Sequence, residues 1–418
     1  MILIKHAHVV SPKAKLDEVT DVLIGEDGKI KEVSKNMAVM SDNVQVIDGT
    51  GKMLFPGFID LHVHLREPGF TEKETVYTGS RAMAKGGFTT VVCMPNTKPA
   101  LDSAETLAEL GEIIRRDAVI DVLPCGAITK EIKGEELADH RALHETGACA
   151  ISDDGRTTMN NDFMVEAYQS SKALGIPVMT HSEDHDITSK LGGASSPAEA
   201  EDNIVRRDVD LLIDGAHLHV CHVSTVGAIE AIRRGKAEGK RVTGEATPHH
   251  IALDLTMVDP LNPMSKVNPP IRGREDRLAV IEALRSGVLE CISTDHAPHE
   301  KESKEREFNK ATMGISGSET AFAVVNTELV KNNGFSYPQL IELMCENPAE
   351  ILGLNDRAVI EKGRWADLVL ADVDADFTVD ARTFVSKGKN TPFDGRTYRG
   401  RILATFKRGG LVYRYPQQ

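Results

Sequence analysis

The sequence predicts an α/β fold in which a TIM-like (β/α)8 barrel is joined to a small β-sandwich formed from both chain termini. Eight short apolar segments with strand character recur through the middle of the chain. Helix-like stretches lie between them, and several end in Lys or Arg followed by Gly, which is a common helix stop. Both ends of the chain, in contrast, consist mainly of strand-like segments. Eight alternating strand and helix units are typical of a closed barrel.

The eight barrel strands are predicted in GFIDLHVHL, TTVVCMPN, DVLPCGAI, ACAISDDG, PVMTHSED, AHLHVCHVS, RVTGEATPHH and LECISTDHAPH. Barrel helices are predicted in ETVYTGSRAMAKGG, SAETLAELGEIIRRD, NDFMVEAYQSSKALG and VGAIEAIRRGKAEG. An open doubly wound sheet is the alternative architecture, but no GxGxxG motif follows the first strand. The pattern therefore favours the barrel.

The terminal strands are predicted in MILIKHAHVV, DVLIGEDGKIKEV and VQVIDGTGKML at the start, and in ADLVLADV and ATFKRGGLVY near the end. GEDGK supplies the turn residues of a hairpin between two apolar alternations. We therefore predict a division into residues 1–55 and 355–418, which together form the sandwich, and residues 56–354, which form the barrel.

Length and charge limit the classes of function. A chain of 418 residues fits one barrel-sized domain plus a smaller companion. Its 49 Lys and Arg residues against 63 Asp and Glu give a net charge of −14, which disfavours nucleic acid but not a small anionic substrate. The sequence shows no signal peptide and no apolar run near the roughly 20 residues that span a bilayer, so we expect a cytoplasmic protein without a membrane partner. The six cysteines lack a CxxC pair, and we expect them to be structural free thiols.

Polar and ionisable residues gather at the carboxyl ends of the predicted strands, where barrel enzymes carry their active sites. In chain order these residues are His62, His64, Asn96, Asp153, Asp154, His181, His222, His249, His250, Asp295, His296 and His299. Burying so many ionisable groups without partners would be unfavourable. A shared metal centre is the simplest arrangement that satisfies them.

The pair His62 and His64 is the sharpest signal for a metal, because residues two apart on a strand point to the same side. Imidazole together with carboxylate suits Zn²⁺ and similar ions. An HxH pair alone often marks only a polar strand face. His181 could simply end a strand, and His222 could be a core histidine beside His219. The joint pattern at several strand ends favours the metal site.

The motifs GFIDLHVHLREPG, GGFTTVVCMPNT, SDDG, VNPP and STDHAPH resemble those of dihydroorotases, specifically the class I bacterial form in the amidohydrolase superfamily. The resemblance extends along the whole chain to SKGKNTPF. It implies reversible cyclisation of N-carbamoyl-L-aspartate to (S)-dihydroorotate and water, in de novo pyrimidine (UMP) biosynthesis. The segment SEDHDITSKLGGASSPAEAEDN is shorter than the usual family pattern, and we expect this departure to alter a subunit contact or a pocket wall and not the metal site.

The resemblance implies six zinc ligands: His62, His64, Asp154, His181, His222 and Asp295. Asp154 would bridge two ions. Alignment to the family motif assigns this role to Asp154, whereas spacing alone does not distinguish it from Asp153. Hydantoinases and allantoinases usually carry a carbamylated lysine at the bridge, and SDDG contains none. Whether one or two zinc ions are held, and whether zinc is the native metal, stays open.

The resemblance also implies the substrate-binding residues, which are His64, Arg66, Asn96, Asn268, His299, Met313 and Gly314. A guanidinium such as that of Arg66 can bind a substrate carboxylate through two hydrogen bonds. Alternatively, Arg66 pairs with Glu67 and Asn96 only caps a turn. Asp295 is expected to act as general base and then as general acid. The charged run 300–314 is either a solvated segment or a lid over the substrate.

Three other functions are alternatives. A hydantoinase or allantoinase is the nearest enzyme, but the motifs around Arg66 and Asn96 disfavour it. The complete ligand set disfavours a non-catalytic scaffold for aspartate transcarbamoylase, and the many substrate-type groups at the barrel rim disfavour a metal-binding module without chemistry. The expected partner is the small-molecule substrate, and the family resemblance implies two more: a second copy in a homodimer and aspartate transcarbamoylase.

Overall fold

The computed structural model describes residues 1–39, 43–191 and 195–416. Residues 192–194, in the segment that departs from the family pattern, lie outside the described residues. The first five strands are β1 (Ile2–Ser11), β2 (Leu16–Ile24), β3 (Ile30–Ser34), β4 (Gln45–Asp48) and β5 (Met53–Pro56). The last three are numbered after the barrel strands: β14 (Leu368–Thr378), β15 (Thr397–Lys407) and β16 (Gly410–Arg414).

The middle of the chain forms the predicted barrel. Its eight strands are β6 (Phe58–Val63), β7 (Phe88–Cys93), β8 (Asp121–Gly126), β9 (Ala150–Ile151), β10 (Val178–Thr180), β11 (Leu218–Val220), β12 (Val242–Ala246) and β13 (Cys291–Ile292). They run parallel and pair in sequence order from β6 to β13. The His64 amide donates to the His296 carbonyl at 2.9 Å, which brings the last strand back to the first. All eight segments identified in the sequence contain a strand, and the prediction of a barrel is confirmed.

Helices connect and follow these strands: α1 (Val76–Lys85), α2 (Ala104–Asp117), α3 (His140–Thr146), α4 (Asn161–Leu174), α5 (His185–Thr188), α6 (Ala198–Leu211), α7 (Val226–Ala237), α8 (Pro248–Ala252), α9 (Arg274–Arg285), α10 (Lys301–Lys304), α11 (Ala321–Val325), α12 (Tyr337–Ile341) and α13 (Asn347–Ile351). Two π-helical segments, Asn326–Asn332 and Glu342–Glu346, directly continue α11 and α12, respectively. Short 3₁₀ turns occupy Pro12–Ala14, Lys130–Ile132, Pro263–Ser265, Phe308–Lys310 and Ala381–Thr383. Hydroxyl caps fix several starts; the Thr75 side chain, for example, accepts from the Thr78 amide at the start of α1.

The two chain ends meet in one mostly antiparallel sheet with the strand order β16-β15-β14-β5-β1-β2-β3, and β4 pairs with β1. The decisive contact is the antiparallel pairing of β5 with β14, which joins the N-terminal strands to the C-terminal ones. This sheet has its own apolar core, in which Val22, Leu54 and Phe406 are fully buried. The prediction of a β-unit assembled from both termini is confirmed, whereas the boundaries at residues 55 and 354 stay predictions. All six cysteines are free, and five are buried.

A partly buried cluster of charged residues connects the terminal sheet to the amino end of barrel strand β8. Asp121, the first residue of β8, pairs with Arg357 and with Lys407, whose Nζ lies 2.8 Å from the carboxylate. Lys407 also pairs with Asp367 at 2.6 Å. Burial alone would raise the pKa of Asp121, but Lys407, Arg357 and Arg408 together lower it below its ordinary value.

We expect Asp121→Asn to lower the free energy of unfolding by about 1–3 kcal/mol, because Arg357 and Lys407 lose a partly buried anionic partner. The lowered pKa means that the carboxylate contributes stability above its unfolded pKa of about 3.9 and loses it as the pH falls through the folded value. Denaturant unfolding at pH 7 measures the loss. Glu112→Gln, which removes an exposed pair with Arg115, is the control and should change little. Equal stability of Asp121→Asn and the parent protein would contradict the assignment.

Candidate functional site

The predicted site residues converge on one cavity of about 190 Å³ at the carboxyl end of the barrel. All seven predicted substrate-binding residues and five of the six predicted ligands line it: His64, Arg66, Asn96, Asp154, His181, His222, Asn268, Asp295, His299, Met313 and Gly314. The sixth predicted ligand, His62, does not line the cavity and is fully buried. The carboxyl ends of the barrel strands therefore bring together residues that are up to 252 positions apart in the chain, from His62 to Gly314.

One group of potential metal ligands consists of His62, His64 and Asp154, with Asp295 beside them. The His62 Nε2 atom lies 3.2 Å from Asp154 Oδ1, and the His64 Nε2 atom lies 3.5 Å from Asp154 Oδ2. Asp295 Oδ1 is 3.1 Å from His64 Nε2 and 3.7 Å from His62 Nε2. The two imidazoles of the HxH pair thus face the same two carboxylates.

The second group consists of His181, His222 and the same Asp154. Asp154 Oδ1 lies 3.8 Å from His181 Nδ1 and 3.9 Å from His222 Nε2. The His181 and His222 ring nitrogens are 3.1 Å apart. Asp154 is therefore the carboxylate shared by both groups, which is the geometry expected of a bridging ligand.

Asp153, the alternative bridging residue, points away from the cavity. Its carboxylate accepts hydrogen bonds from the Ile128 and Thr129 amides, both at 2.9 Å, and from the Thr129 and Thr158 hydroxyls. These four donors fix the loop after β8. Of the two aspartates in SDDG, the one that faces the histidines is Asp154.

The carboxylates of the site are ionised. Burial would raise the pKa of Asp154, but His62, His222 and His64 hold it well below its ordinary value. Burial likewise opposes ionisation of Asp295, yet the hydrogen bond from His64 and the neighbouring histidines lower its pKa to about 2. Both side chains can therefore act as anionic ligands near neutral pH.

The surroundings of two buried atoms indicate whether a metal ion fits this cluster. Among the described residues, neither His62 Nε2 nor Asp154 Oδ1 has a hydrogen-bond partner, although the two atoms face each other. Buried polar atoms are rarely left in this state, and a cation held between them would satisfy both. Imidazole nitrogens and carboxylate oxygens are also the donor set that Zn²⁺ and related ions prefer. The residues present fit a metal centre.

Arg66 lies in the cavity wall and does not pair with Glu67. The Glu67 carboxylate instead accepts from the Val76 amide at 2.7 Å. The Arg66 side chain donates to the Pro298 carbonyl and approaches His299 Nε2 at 3.4 Å. Burial lowers its pKa to about 10, so the guanidinium remains charged at neutral pH. It provides a cation beside the metal-ligand groups.

The two predicted asparagines contact the ligand residues directly. Asn96 Oδ1 is 3.0 Å from His64 Nδ1, and its amide donates to Asp154 Oδ2 at 3.1 Å. Asn268 Nδ2 donates to Glu183 at 2.8 Å and lies 3.2 Å from His181 Nε2. Asn96 therefore does more than cap a turn, because it connects two ligands.

Sequence reasoning missed Glu245, which is fully buried on β12. Its carboxylate is 3.0 Å from His62 Nδ1 and 3.1 Å from His219 Nε2. A carboxylate on the far nitrogen of a ligating imidazole fixes the ring and its tautomer. The available signal was an acidic residue inside an apolar barrel strand, since glutamate is almost never fully buried without a partner.

A second missed residue comes from the C-terminal part of the chain. Asn390, which follows β14, donates to the carbonyls of Ala297 at 3.0 Å and Gly314 at 2.9 Å. Its side-chain oxygen accepts from the His299 amide at 3.0 Å. The segment SKGKNTPF, in which it stands, thus supports the backbone of the cavity wall.

Comparison with known proteins agrees with this geometry. Residues 51–227 match the family model described as dihydro-orotase-like. A dihydroorotase from Caldicellulosiruptor saccharolyticus is 42% identical, over 99% of this chain and 100% of that protein. The chain belongs to the dihydroorotase family. A dihydroorotase from Bacillus cytotoxicus is also 42% identical, over 94% of each chain.

The dihydroorotase-family chain also shares its architecture with a solved cyclic amidohydrolase. An L-hydantoinase (dihydropyrimidinase) from Arthrobacter aurescens superimposes with a TM-score of 0.91 at 26% identity, over 100% of this chain and 96% of that one. Membership of the dihydroorotase family makes the chain an enzyme of the cyclic amide hydrolases that acts on a small molecule. Within residues 1–39, 43–191 and 195–416, no helix has the length and apolar character to traverse a bilayer.

Proposed function

We propose that the chain catalyses the zinc-dependent, reversible cyclisation of N-carbamoyl-L-aspartate to (S)-dihydroorotate and water, in pyrimidine (UMP) biosynthesis. The observation that carries the proposal is a cavity in which two ligand groups share Asp154 and a buried arginine stands beside them. The name of the relatives at 42% identity supports the choice of substrate.

His62, His64 and Asp295 would hold one ion, His181 and His222 would hold the other, and Asp154 would bridge them. When bound, the ions supply Lewis acidity, which polarises an amide carbonyl and lowers the pKa of a water molecule. Two further side chains orient the histidines. Glu245 contacts His62 Nδ1 and Asn96 contacts His64 Nδ1, which would leave the Nε2 atom of each ring directed toward the ion.

Asp295 moves the proton in this proposal. During ring opening its carboxylate accepts a proton from the attacking water and then donates it to the leaving ring nitrogen. During ring closure it takes the proton from the carbamoyl nitrogen and then donates it to the departing hydroxide, which leaves as water. The contact with His64 involves Oδ1, and among the described residues Oδ2 has no hydrogen-bond partner, which leaves that oxygen for proton transfer.

Arg66, Asn96, Asn268 and His299 would orient the substrate, together with the backbone at Met313 and Gly314. The guanidinium of Arg66 would bind the carboxylate that dihydroorotate carries and that hydantoin and allantoin lack. The charge of the cavity wall thus favours an anionic ring over a neutral one.

The test is ultraviolet absorbance after dihydroorotate is added to the zinc-supplemented protein, with a chelator-treated sample as control. We expect loss of dihydroorotate, closure of carbamoyl aspartate in the reverse assay, and inactivation by the chelator that added zinc reverses. Hydantoin and allantoin are assayed in parallel. Turnover of these rings without turnover of dihydroorotate would contradict the proposal and indicate the hydantoinase or allantoinase function. An inactive protein that binds no metal would indicate the scaffold function.

The cytoplasmic location stays a prediction from the sequence, and the homodimer and the association with aspartate transcarbamoylase stay predictions from the family resemblance. Sedimentation of the purified protein, alone and mixed with aspartate transcarbamoylase, measures the two assemblies.

A further inference from the structure

Lys304 differs from its neighbours in the charged run 300–314. The side chains of Lys301 and Lys310 are 74% and 71% exposed, as expected of a solvated segment. Lys304, at the end of α10, is only 1% exposed. Among the described residues, no carboxylate lies within 4 Å of its ammonium group, which therefore has no counter-ion.

The ammonium group donates instead to three backbone carbonyls. These are the carbonyls of Lys266 at 2.7 Å, Thr312 at 3.0 Å and Gly314 at 2.8 Å. Lys266 lies two residues before Asn268, in the loop that follows β12 and α8. Thr312 and Gly314 flank Met313, in the loop that follows β13. Lys304 thus connects two loops that both line the cavity.

The peptide around Met313 is held from several sides. The Gly314 amide donates to the Lys266 carbonyl at 3.0 Å, and His299 Nε2 contacts the Met313 carbonyl at 2.8 Å. Asn390 Nδ2 also donates to the Gly314 carbonyl, at 2.9 Å. Among the described residues, the Met313 amide has no acceptor, so this N–H remains available to a ligand in the cavity.

A buried ammonium without a counter-ion is unfavourable for stability. Burial and the nearby charge of Lys266 lower the pKa of Lys304 to about 7. An apolar residue of similar length would fill the same volume without this cost, but it could not hold three carbonyls. The contacts of Lys304 therefore indicate a function in shaping the cavity wall.

We propose that Lys304 is a positioning residue that holds the backbone at Met313 and Gly314 against the Lys266–Asn268 loop, and so sets the width of the substrate pocket. The inference rests on the proposed function, because it assumes that this cavity binds the cyclic substrate. It assigns no proton transfer and no metal contact to Lys304.

The test replaces Lys304 with Met and uses Lys301→Met as the matched control in the same helix. We expect the KM for dihydroorotate to rise about tenfold to a hundredfold in Lys304→Met, because loosened backbone misplaces the ring. Bound zinc should be unchanged, and kcat should change much less than KM. Lys301→Met should match the parent protein in both constants.

Hydrogen exchange measured by mass spectrometry provides a readout that does not depend on turnover. Backbone amides in residues 311–317 should exchange faster in Lys304→Met than in Lys301→Met. The reason is that the Lys266 carbonyl, which accepts from the Gly314 amide, is no longer held in place by Lys304. If Lys304→Met does not fold, Lys304→Gln removes the charge but keeps a shorter N–H donor, and the same two measurements apply.

Unchanged exchange would overturn the proposal, and so would faster exchange with an unchanged KM, which would make Lys304 a structural residue only. Failure of the proposed function is a separate result, because the parent protein would then not turn over dihydroorotate. In that case the exchange data, together with the KM for whichever ring is turned over, decide the role of Lys304.

Discussion

Replacing Asp295 with Asn is expected to reduce kcat by about 10²- to 10⁴-fold in both directions of the reaction, which is the usual contribution of a general acid–base residue. The asparagine keeps the size of the side chain but can neither accept nor return a proton. Asp295 also follows β13 with φ +46°, an uncommon backbone conformation for a residue with a side chain. This turn directs its carboxylate toward His64 and the other ligands.

Steady-state kinetics with dihydroorotate and with carbamoyl aspartate measure the effect, and metal analysis accompanies each sample. Asp162→Asn, at an exposed aspartate near the start of α4, controls for loss of a surface carboxylate. If Asp295→Asn retains its metal and turns over at a near-parental rate, another group must move the proton.

The second large effect is expected from Glu245→Gln, which should weaken metal binding by about 10- to 100-fold. The Glu245 carboxylate contacts both the His62 and the His219 imidazole and so orients both rings. It also accepts a hydrogen bond from the His222 backbone amide at 3.3 Å. Burial opposes its ionisation, yet His219 and His62 lower its pKa below the ordinary value. The neutral amide cannot satisfy both imidazoles in this way.

Metal retained after dialysis against graded chelator concentrations measures this effect, with thermal unfolding as a check on the fold. Glu230→Gln, at an exposed glutamate of α7, is the control. Parental metal retention in folded Glu245→Gln would show that His62 is fixed by its packing alone.

The sequence predicted the barrel well because each strand is an apolar segment followed by a polar residue. Even β9 and β13, which contain only two residues each, lie inside predicted segments. The location of the candidate site could be predicted equally well, since the carboxyl ends of parallel strands must meet at one face of a barrel.

Other features depend on contacts that local pattern does not contain. The choice between Asp153 and Asp154 rests on the four donors from Ile128, Thr129 and Thr158 that turn Asp153 away. Lys304 stands in a run whose charge pattern is typical of solvent-exposed segments, yet it is buried. Its carbonyl partner at Lys266 lies 38 residues away, and only the three-dimensional structure brings them together.

The contacts of Asn390 have a consequence for the order in which the protein matures on the ribosome. Domains generally fold during synthesis as their residues emerge, the N-terminal parts first. All eight barrel strands are synthesised by residue 292, but Asn390 and the partner of β5 come much later. A nascent chain can therefore contain every predicted metal ligand while the wall at Ala297 and Gly314 still lacks the support of Asn390. We therefore expect the pocket wall to gain its full support only after Asn390 has been synthesised, which is later than the synthesis of the barrel strands.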